Sequence, residues 1–178
     1  TKITAGDPVN AAGPFFGCAW VDYDSDGFAD LFVTSRPGRN QLYRNNRNGS
    51  FSRITTGTLV TDSAEFVGCT WGDYDNDGFL DAVVGSVAGV FFYRNNGDGT
   101  FSKLANPFAG SAGAYAYGSA WADFDQDGFL DLFQPSRDCN NGLHRNNGDG
   151  TFSRLTGQGV LNEAGTSIFA AWGYYDND

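Results

Sequence analysis

Aspartates alternate with other residues in three short stretches of this chain of 178 residues. Each stretch continues with a glycine and then a fourth aspartate three residues after that glycine. Left unpaired, carboxylates this close would repel each other and raise each other's pKa values. Alternate residues of a curling loop can direct their oxygens at one centre, so the spacing predicts a cation site in each loop. The predicted ligands are Asp22, Asp24, Asp26 and Asp30 in the first loop, Asp73, Asp75, Asp77 and Asp81 in the second, and Asp123, Asp125, Asp127 and Asp131 in the third.

The ligand chemistry predicts that the ion is calcium. The aspartates hold positions 1, 3, 5 and 9 of each loop, and a glycine at position 6 permits a sharp turn. The residue at position 7 can add its backbone carbonyl to the ligand set. Ca²⁺ accepts six to eight oxygen ligands in a flexible geometry, whereas Mg²⁺ keeps several waters and Zn²⁺ prefers His or Cys. We therefore expect three Ca²⁺ sites, with position 7 supplied by Phe28, Phe79 and Phe129.

Two other interpretations of these loops are open. Aspartate and glycine are ordinary turn residues, although a turn alone gives no reason to repeat the same four carboxylates three times. An EF-hand begins with the same spacing, but it needs Glu at position 12 and flanking helices. Position 12 is Val33, Val84 or Gln134 here, and the flanking segments look like strands. We therefore predict calcium loops that each join two strands.

A fourth copy of the loop is incomplete. It reads WGYYDND, with Tyr174 at position 1 where the other copies have an aspartate. Only positions 3 and 5 keep their carboxylates. The sequence therefore predicts at most a weak metal site at Asp176 and Asp178.

The loops belong to a longer internal repeat. Trp20, Trp71, Trp121 and Trp172 recur at intervals of 51, 50 and 51 residues. Each unit continues with two aromatic and aliphatic runs, an Asn-Gly or Asp-Gly turn, and a final aromatic segment, which is the composition of strands and hairpins. No segment keeps a helical apolar period. Four short strands in about 50 residues, repeated, predict an all-β fold of β-propeller-type blades, with about three and a half repeats of 50–51 residues.

The repeat predicts how the chain is divided. We expect residues 1–16 to end a preceding blade, residues 17–67, 68–117 and 118–169 to form three blades, and residues 170–178 to begin another. Tryptophans are expected to pack between neighbouring sheets. Cys18 and Cys69 are expected to be small buried thiols on inner strands, because free Cys is a frequently buried residue. The total of three cysteines excludes a framework of paired disulfides.

The same residues resemble the FG-GAP/VCBS repeat family, which also forms the propeller of integrin α-subunits. The resemblance lies in FFGCAWVDYDSDGFADLFV, FVGCTWGDYDNDGFLDAVV and YGSAWADFDQDGFLDLF, and the tails YRNNGDGTFSKL and HRNNGDGTFSRL resemble the VCBS type. It covers nearly the whole chain from about Phe15. It implies a seven-bladed propeller, one calcium ion in each aspartate loop between the first two strands of a blade, and an extracellular role in adhesion or recognition.

Charge and length limit the partners. The net charge is −10, and the three loops hold 12 of the 21 acidic residues, so the remainder is nearly neutral. Without a basic stripe we expect no nucleic-acid partner, and no run approaches the ~20 apolar residues of a membrane helix. Three and a half blades do not close a ring, and an open blade edge invites partners. We expect a longer propeller chain, with two-copy assembly or a filament as the alternatives.

Three functions are compared. A calcium-stabilised extracellular scaffold for adhesion or structural assembly fits the loops best. A lectin-like propeller is the alternative, with glycans stacking on Tyr115 or Tyr117. We expect no enzyme, because no acid–base pair or activated nucleophile is evident besides the metal loops; the repeats would then be at most a non-catalytic part of a secreted enzyme. The NGS sequon at Asn48 predicts a glycosylation site in an exposed turn.

Overall fold

The computed structural model describes residues 6–108, 117–157, 159–161 and 165–173, without the side chains of residues 138, 139 and 160. Almost all of its regular structure is β-strand. The first repeat contains β1 (Phe15–Val21), β2 (Asp30–Ser35), β3 (Gly38–Arg39), β4 (Gln41–Asn45) and β5 (Phe51–Ile54), followed by α1 (Thr58–Thr61) and β6 (Ser63–Ala64). The second contains β7 (Phe66–Gly72), β8 (Asp81–Ser86), β9 (Gly89–Asn95) and β10 (Phe101–Leu104). The third contains β11 (Ala120–Ala122), β12 (Asp131–Gln134), β13 (Arg137–Cys139), β14 (Gly142–Asn146) and β15 (Phe152–Leu155), followed by the 3₁₀ helix Gly159–Leu161 and β16 (Gly165–Thr166).

Three antiparallel four-stranded sheets carry the fold. The strand orders are β1-β2-β4-β5, β7-β8-β9-β10 and β11-β12-β14-β15, and we call these sheets blade 1, blade 2 and blade 3. Two short pairs, β3 with β6 and β13 with β16, lie outside the blades. The sheets confirm the predicted all-β fold of propeller-type blades, and within the described ranges they do not close a ring. None of the helices in this part of the chain is long and apolar enough to cross a membrane.

Glycines allow the innermost strands of adjacent blades to touch. A Cβ atom on Gly17 would lie 2.6 Å from the carbonyl oxygen of Val67, and one on Gly68 would lie 2.2 Å from that of Tyr117. Both distances are shorter than any normal contact of a Cβ atom, so only glycine fits between the strands. The first strand of one blade therefore packs directly against the first strand of the next.

Aromatic side chains fill the space between blades further out. Trp71 of blade 2 packs edge-on against Phe32 of blade 1, with ring centroids 5.3 Å apart. Trp121 of blade 3 lies 6.4 Å from Phe92 of blade 2. These two tryptophans have the predicted packing role, whereas Trp20 is 63% exposed on the corresponding face of blade 1.

The two cysteines with described side chains differ in environment. Cys69 is half-buried, and desolvation raises the pKa of its thiol to about 12. Cys18 is exposed, so the prediction that it is a buried thiol is wrong. Cys18 lies on β1, and the corresponding face of β7 in blade 2 packs against blade 1. No described blade covers the face of blade 1 that carries Cys18. The side chain of Cys139 lies outside the described residues.

Candidate metal centres

Each aspartate loop connects the first two strands of its blade: loop 1 is residues 22–30, loop 2 is residues 73–81 and loop 3 is residues 123–131. The aspartate at position 1 holds the loop in a curl. In loop 1, the Oδ1 atom of Asp22 accepts the N–H of Asp26 at 2.9 Å and its Oδ2 atom accepts the N–H of Gly27 at 2.8 Å. Loops 2 and 3 repeat both bonds at 2.9–3.0 Å. Because three loops of different intervening sequence share them, the curl follows from the aspartate and glycine positions.

The aspartate at position 9 is the most deeply buried residue of each loop. Asp30 is fully buried, and its carboxylate accepts the N–H groups of Tyr23 at 3.3 Å and Asn45 at 2.7 Å. Asp81 and Asp131 are equally buried and make the same two bonds at 2.7–3.2 Å. Desolvation raises the pKa of Asp30 to about 6 and that of Asp81 to about 7, and it raises the pKa of Asp131 as well. A positive charge beside these carboxylates would favour their charged form and lower these pKa values again.

Carboxylate oxygens from several loop positions converge in each blade. In each group, one oxygen from each of three aspartates lies within 4.8 Å of the others. The three groups are Asp22, Asp24 and Asp30; Asp73, Asp75 and Asp81; and Asp123, Asp125 and Asp127. Of the predicted ligands, Asp26, Asp77 and Asp131 stand outside these groups. The predicted site residues are thus brought together in all three loops, but not with all four carboxylates at one point.

Two oxygens in these groups have no partner in the described structure. The Oδ1 atoms of Asp24 and Asp75 are inaccessible to solvent and accept no hydrogen bond there. A buried acceptor without a partner costs about 1–3 kcal/mol. Both atoms belong to aspartates that sit within clusters of carboxylate oxygens, which are the ligands that Ca²⁺ prefers. The residues present therefore fit a hard divalent cation, and each loop could hold one.

An arginine from the third strand of each blade binds two carboxylates of the loop, and the sequence analysis did not predict this contact. In blade 2, the Nε atom of Arg94 lies 2.7 Å from Oδ2 of Asp75, and its Nη2 atom lies 2.9 Å from Oδ2 of Asp77. Arg44 and Arg145 bind positions 3 and 5 of their own loops in the same way. The signal in the sequence was the triplet RNN, which recurs at residues 44–46, 94–96 and 145–147. Each arginine balances part of the negative charge of its loop.

The phenylalanine at position 7 shapes the loop through its backbone. The N–H groups of Phe28, Phe79 and Phe129 each donate to Oδ1 of the aspartate at position 5, at 3.0 Å. This bond orients the position-5 carboxylate toward the loop. That the carbonyl groups of these phenylalanines bind the ion stays a prediction.

A family profile for the FG-GAP-like repeat matches residues 22–84 and 81–134, which together include all three loops and most of the three blades. The chain belongs to the FG-GAP-like repeat family. The match confirms the resemblance drawn from the aspartate loops. A search of curated protein sequences found no match.

A solved structure supports this fold. A lectin from Agrocybe aegerita that recognises non-reducing terminal N-acetylglucosamine has a TM-score of 0.54 and 22% identity over 84% of this chain. The FG-GAP chain spans only 39% of the lectin's length. The Photorhabdus luminescens Tc holotoxin pore has a TM-score of 0.45 and 18% identity, covering 81% of this chain and 7% of the toxin chain. At these identities the lectin supports the propeller-type fold alone, and the toxin carries no argument.

A residue outside the FG-GAP loops distinguishes the surroundings of loop 1 from those of the other two. Arg47 stands where the other repeats have Gly97 and Gly148. Its Nη2 atom lies 2.8 Å from Oδ2 of Asp26, and its guanidinium lies 5.0 Å from the centre of the Phe28 ring. A hydrogen bond from Arg47 lowers the pKa of Asp26. Among the described residues, two guanidinium groups therefore contact loop 1, whereas one contacts each of loops 2 and 3.

The residue of the predicted glycosylation site has a structural role in its turn. Asn48 is exposed, and its Oδ1 atom accepts the backbone N–H of Ser50 at 3.0 Å and the hydroxyl of Ser50 at 2.7 Å. Asp98 and Asp149 make the same bonds in the other FG-GAP repeats. Asn48 thus replaces a turn-forming aspartate, and its glycosylation stays a prediction. The weak site expected at Asp176 and Asp178 lies outside the described residues.

Proposed function

We propose that this chain is a calcium-stabilised β-propeller scaffold that acts outside the cell in adhesion or structural assembly. The observation that carries the proposal is the pair of buried, unpartnered oxygens on Asp24 and Asp75, each on an aspartate whose carboxylate converges with two others. Calcium at these points would supply the missing partner. Three ions would change the formal charge of the chain from −10 to −4.

Calcium would stabilise the fold because each loop begins at the end of one strand and ends at the start of the next. Position 1 follows β1, β7 or β11, and position 9 begins β2, β8 or β12. An ion that binds both positions ties the two strands together. Since the unfolded chain has no such site, the binding free energy adds to the free energy of unfolding.

The extracellular location is part of the proposal. Calcium-binding loops of extracellular modules commonly have dissociation constants of ~10⁻⁴–10⁻³ M, which suits the calcium concentration outside cells. FG-GAP repeats are typical of extracellular proteins, which supports the same location. A protein of this kind would be folded and rigid outside the cell and less stable where calcium is scarce.

Protein partners are proposed for the open face of blade 1. Phe16 and Trp20 are 61% and 63% exposed on β1. One repeat later, the corresponding face of β7 packs against blade 1 through Trp71. The partner that fits this face is therefore another FG-GAP blade. Light scattering on the native protein distinguishes two sources of that blade. A monomer of a longer chain indicates a blade of the same chain, and a concentration-dependent oligomer indicates a blade of a second copy.

Thermal unfolding with and without calcium tests the proposed function. We expect the melting temperature in millimolar Ca²⁺ to exceed that in EGTA, and magnesium at the same concentration to restore little of the difference. Asp75→Asn should reduce the calcium-dependent gain. The matched control is Asp98→Asn, which removes an exposed turn carboxylate outside the loops and places there the residue that blade 1 has at the equivalent Asn48. Equal melting temperatures in Ca²⁺ and EGTA would refute the proposal.

Carbohydrate binding is the second candidate. The similar fold of the Agrocybe aegerita lectin supports testing it. The predicted stacking residue Tyr117 is only 5% exposed, so it offers no platform in this structure, and Tyr115 lies outside the described residues. A glycan array probed in Ca²⁺ and in EGTA tests this candidate. Binding to defined glycans that EGTA abolishes would favour a lectin over a purely structural scaffold.

A further inference from the structure

One buried side chain joins the loops of two neighbouring blades. Asn95 is fully buried at the end of β9. Its backbone N–H donates to Oδ1 of Asp81, the last carboxylate of loop 2, at 2.7 Å. Its side-chain Nδ2 donates to the carbonyl oxygen of Tyr23, position 2 of loop 1, at 2.7 Å. A bond from Nδ2 to the carbonyl of Leu80 at 3.2 Å, and one from the N–H of Gly97 to Oδ1 at 3.1 Å, fix the amide plane.

The next pair of blades repeats the arrangement. Asn146 is 1% exposed, and its N–H donates to Oδ1 of Asp131 at 2.8 Å. Its Nδ2 donates to the carbonyl of Tyr74, position 2 of loop 2, at 2.7 Å. The bonds to Leu130 and Gly148 are also kept, at 3.1 and 3.0 Å. Two independent copies with matching distances indicate a built connection between loops.

The tyrosine at position 2 has a second anchor in the same neighbouring blade. The ring of Tyr23 lies 6.1 Å from that of Phe101, and the ring of Tyr74 lies 6.1 Å from that of Phe152. Both tyrosines are buried. Position 2 stands between the candidate ligands at positions 1 and 3. Any ordering of those ligands is therefore transmitted to a residue that the next blade already holds.

We propose that Asn95 and Asn146 couple calcium binding in adjacent repeats, so that an ion in one loop strengthens binding in the next. This inference rests on the proposed function. An ion bound by Asp22 and Asp24 would fix the peptide between them, and with it the acceptor of the Asn95 amide. The ordered Asn95 then holds its N–H against Asp81, so the second loop loses less conformational freedom when its own ion binds. The coupling must be the same in both directions.

Loops 2 and 3 have one further direct bond. The Nδ2 atom of Asn76, position 4 of loop 2, donates to the carbonyl of Gly128 in loop 3 at 3.0 Å. Positions 4 of loops 1 and 3 are Ser25 and Gln126. This bond gives loops 2 and 3 a second direct connection.

Blade 1 supplies a matched control. The N–H of Asn45 donates to Asp30 at 2.7 Å, its Nδ2 donates to Ala29 at 3.0 Å, and its Oδ1 accepts the N–H of Arg47 at 2.9 Å. These are the same bonds that Asn95 makes within its own repeat. Over the described ranges, Asn45 makes no hydrogen bond to another blade. Asn45→Ala therefore removes the local role alone, and Asn95→Ala removes the local role together with the bridge.

Site-resolved calcium titration of the full chain by NMR tests the coupling. The amides of Gly27, Gly78 and Gly128 report the three loops, because each donates to the position-1 aspartate. In an otherwise wild-type protein, we expect Asp24→Asn to weaken calcium binding in loop 2, which the Gly78 amide reports. The expected loss is about fivefold or more, in the usual range of coupling between sites. In an Asn95→Ala background the same change should alter the Gly78 affinity less than about twofold, and in an Asn45→Ala background the full effect should persist.

Each other result has a defined meaning. An unchanged effect of Asp24→Asn in the Asn95→Ala background would overturn the coupling and leave the calcium sites standing. A wild-type protein with no saturable calcium shifts would overturn the proposed function and the coupling together. If Asn95→Ala does not fold, the wild-type titration decides: reporters that rise together with a Hill coefficient above 1 support the coupling, and three independent hyperbolic curves refute it.

Discussion

The guanidinium of Arg94 binds Asp75 and Asp77 of loop 2, with Nε 2.7 Å from one carboxylate and Nη2 2.9 Å from the other. Asp75 keeps its second oxygen buried and without a partner in the described structure. The arginine thus offsets part of the like-charge repulsion and leaves Oδ1 of Asp75 free of a hydrogen bond among the described residues. This division of the carboxylate between a built-in cation and the proposed ion recurs with Arg44 at Asp24.

Replacing Arg94 tests this division. We expect Arg94→Gln to lower the melting temperature in EGTA, because the loop 2 carboxylates lose their cation, and to enlarge the gain on adding calcium. The pair is partly exposed, so the loss without calcium should be modest, about 1 kcal/mol or less. Arg53→Gln, at an exposed arginine on β5, is the control and should change neither value. A smaller calcium gain in Arg94→Gln than in wild type would show that the arginine helps to bind the ion.

Replacing Arg47 should strengthen calcium binding in loop 1. Arg47→Gly restores the residue of the other two repeats and removes a positive charge 2.8 Å from Asp26. The backbone φ of 61° at this position also suits glycine. We expect a gain of about two- to fivefold in affinity at low salt, and a smaller gain at 0.5 M salt because the side chain is half-exposed. The Gly27 amide reports it, and an affinity that is unchanged at low salt would contradict the prediction.

The buried position-9 aspartates predict an inverted pH dependence in the calcium-free protein. The pKa of Asp30 is raised to about 6 and that of Asp81 to about 7. An aspartate whose pKa is raised in the folded state stabilises the protein at pH values below its unfolded pKa of about 4. This contribution is lost as the pH rises to about 7. Burial lowers the pKa of His144 to about 4, which opposes this trend, but it is one group against Asp30 and Asp81. Urea unfolding in EGTA should therefore give a lower free energy of unfolding at pH 7.5 than at pH 5.

Calcium should reverse that slope. The ion binds the deprotonated carboxylates, so saturating calcium removes the penalty above pH 6 and binding releases protons. Asp26, Asp98 and Asp149 have lowered pKa values, so their contribution is lost only as the pH falls toward and below about 4, outside this window. Asp81→Asn should flatten the slope measured in EGTA. A calcium-free protein that gains stability from pH 5 to pH 7.5 would contradict the prediction.

The contact between inner strands predicts a packing-sensitive position. Gly68→Ala would place a Cβ atom 2.2 Å from the carbonyl oxygen of Tyr117, so blades 2 and 3 would have to separate. We expect a loss of about 1–3 kcal/mol in the free energy of unfolding, as for overpacked cores. Gly165→Ala is the control, because a Cβ there meets nothing within 4 Å and its φ is not positive. Equal stability of the two variants in chemical denaturation would contradict the packing observed here.

Much of the candidate site could be predicted from local spacing. Asp22, Asp26 and Gly27 lie within six consecutive residues, and the bonds that curl the loop join them directly. The repeated turn residues and the aromatic and aliphatic runs between them predicted four-stranded blades for the same reason. The arginines were not predicted, because Arg94 reaches Asp75 across a strand pairing 19 residues away, and an arginine in a strand has many other uses.

The sequence by itself determined the three acidic loops, their repeat and the blades that carry them, because those features depend on residues a few positions apart. Only the tertiary structure decided that Trp20 and Cys18 are exposed while their counterparts pack between blades, since this depends on which sheet stands opposite. It also decided that Asn95 joins Tyr23 across 72 residues. No local pattern specifies such a bond, because it exists only when two blades stand side by side with their loops in register.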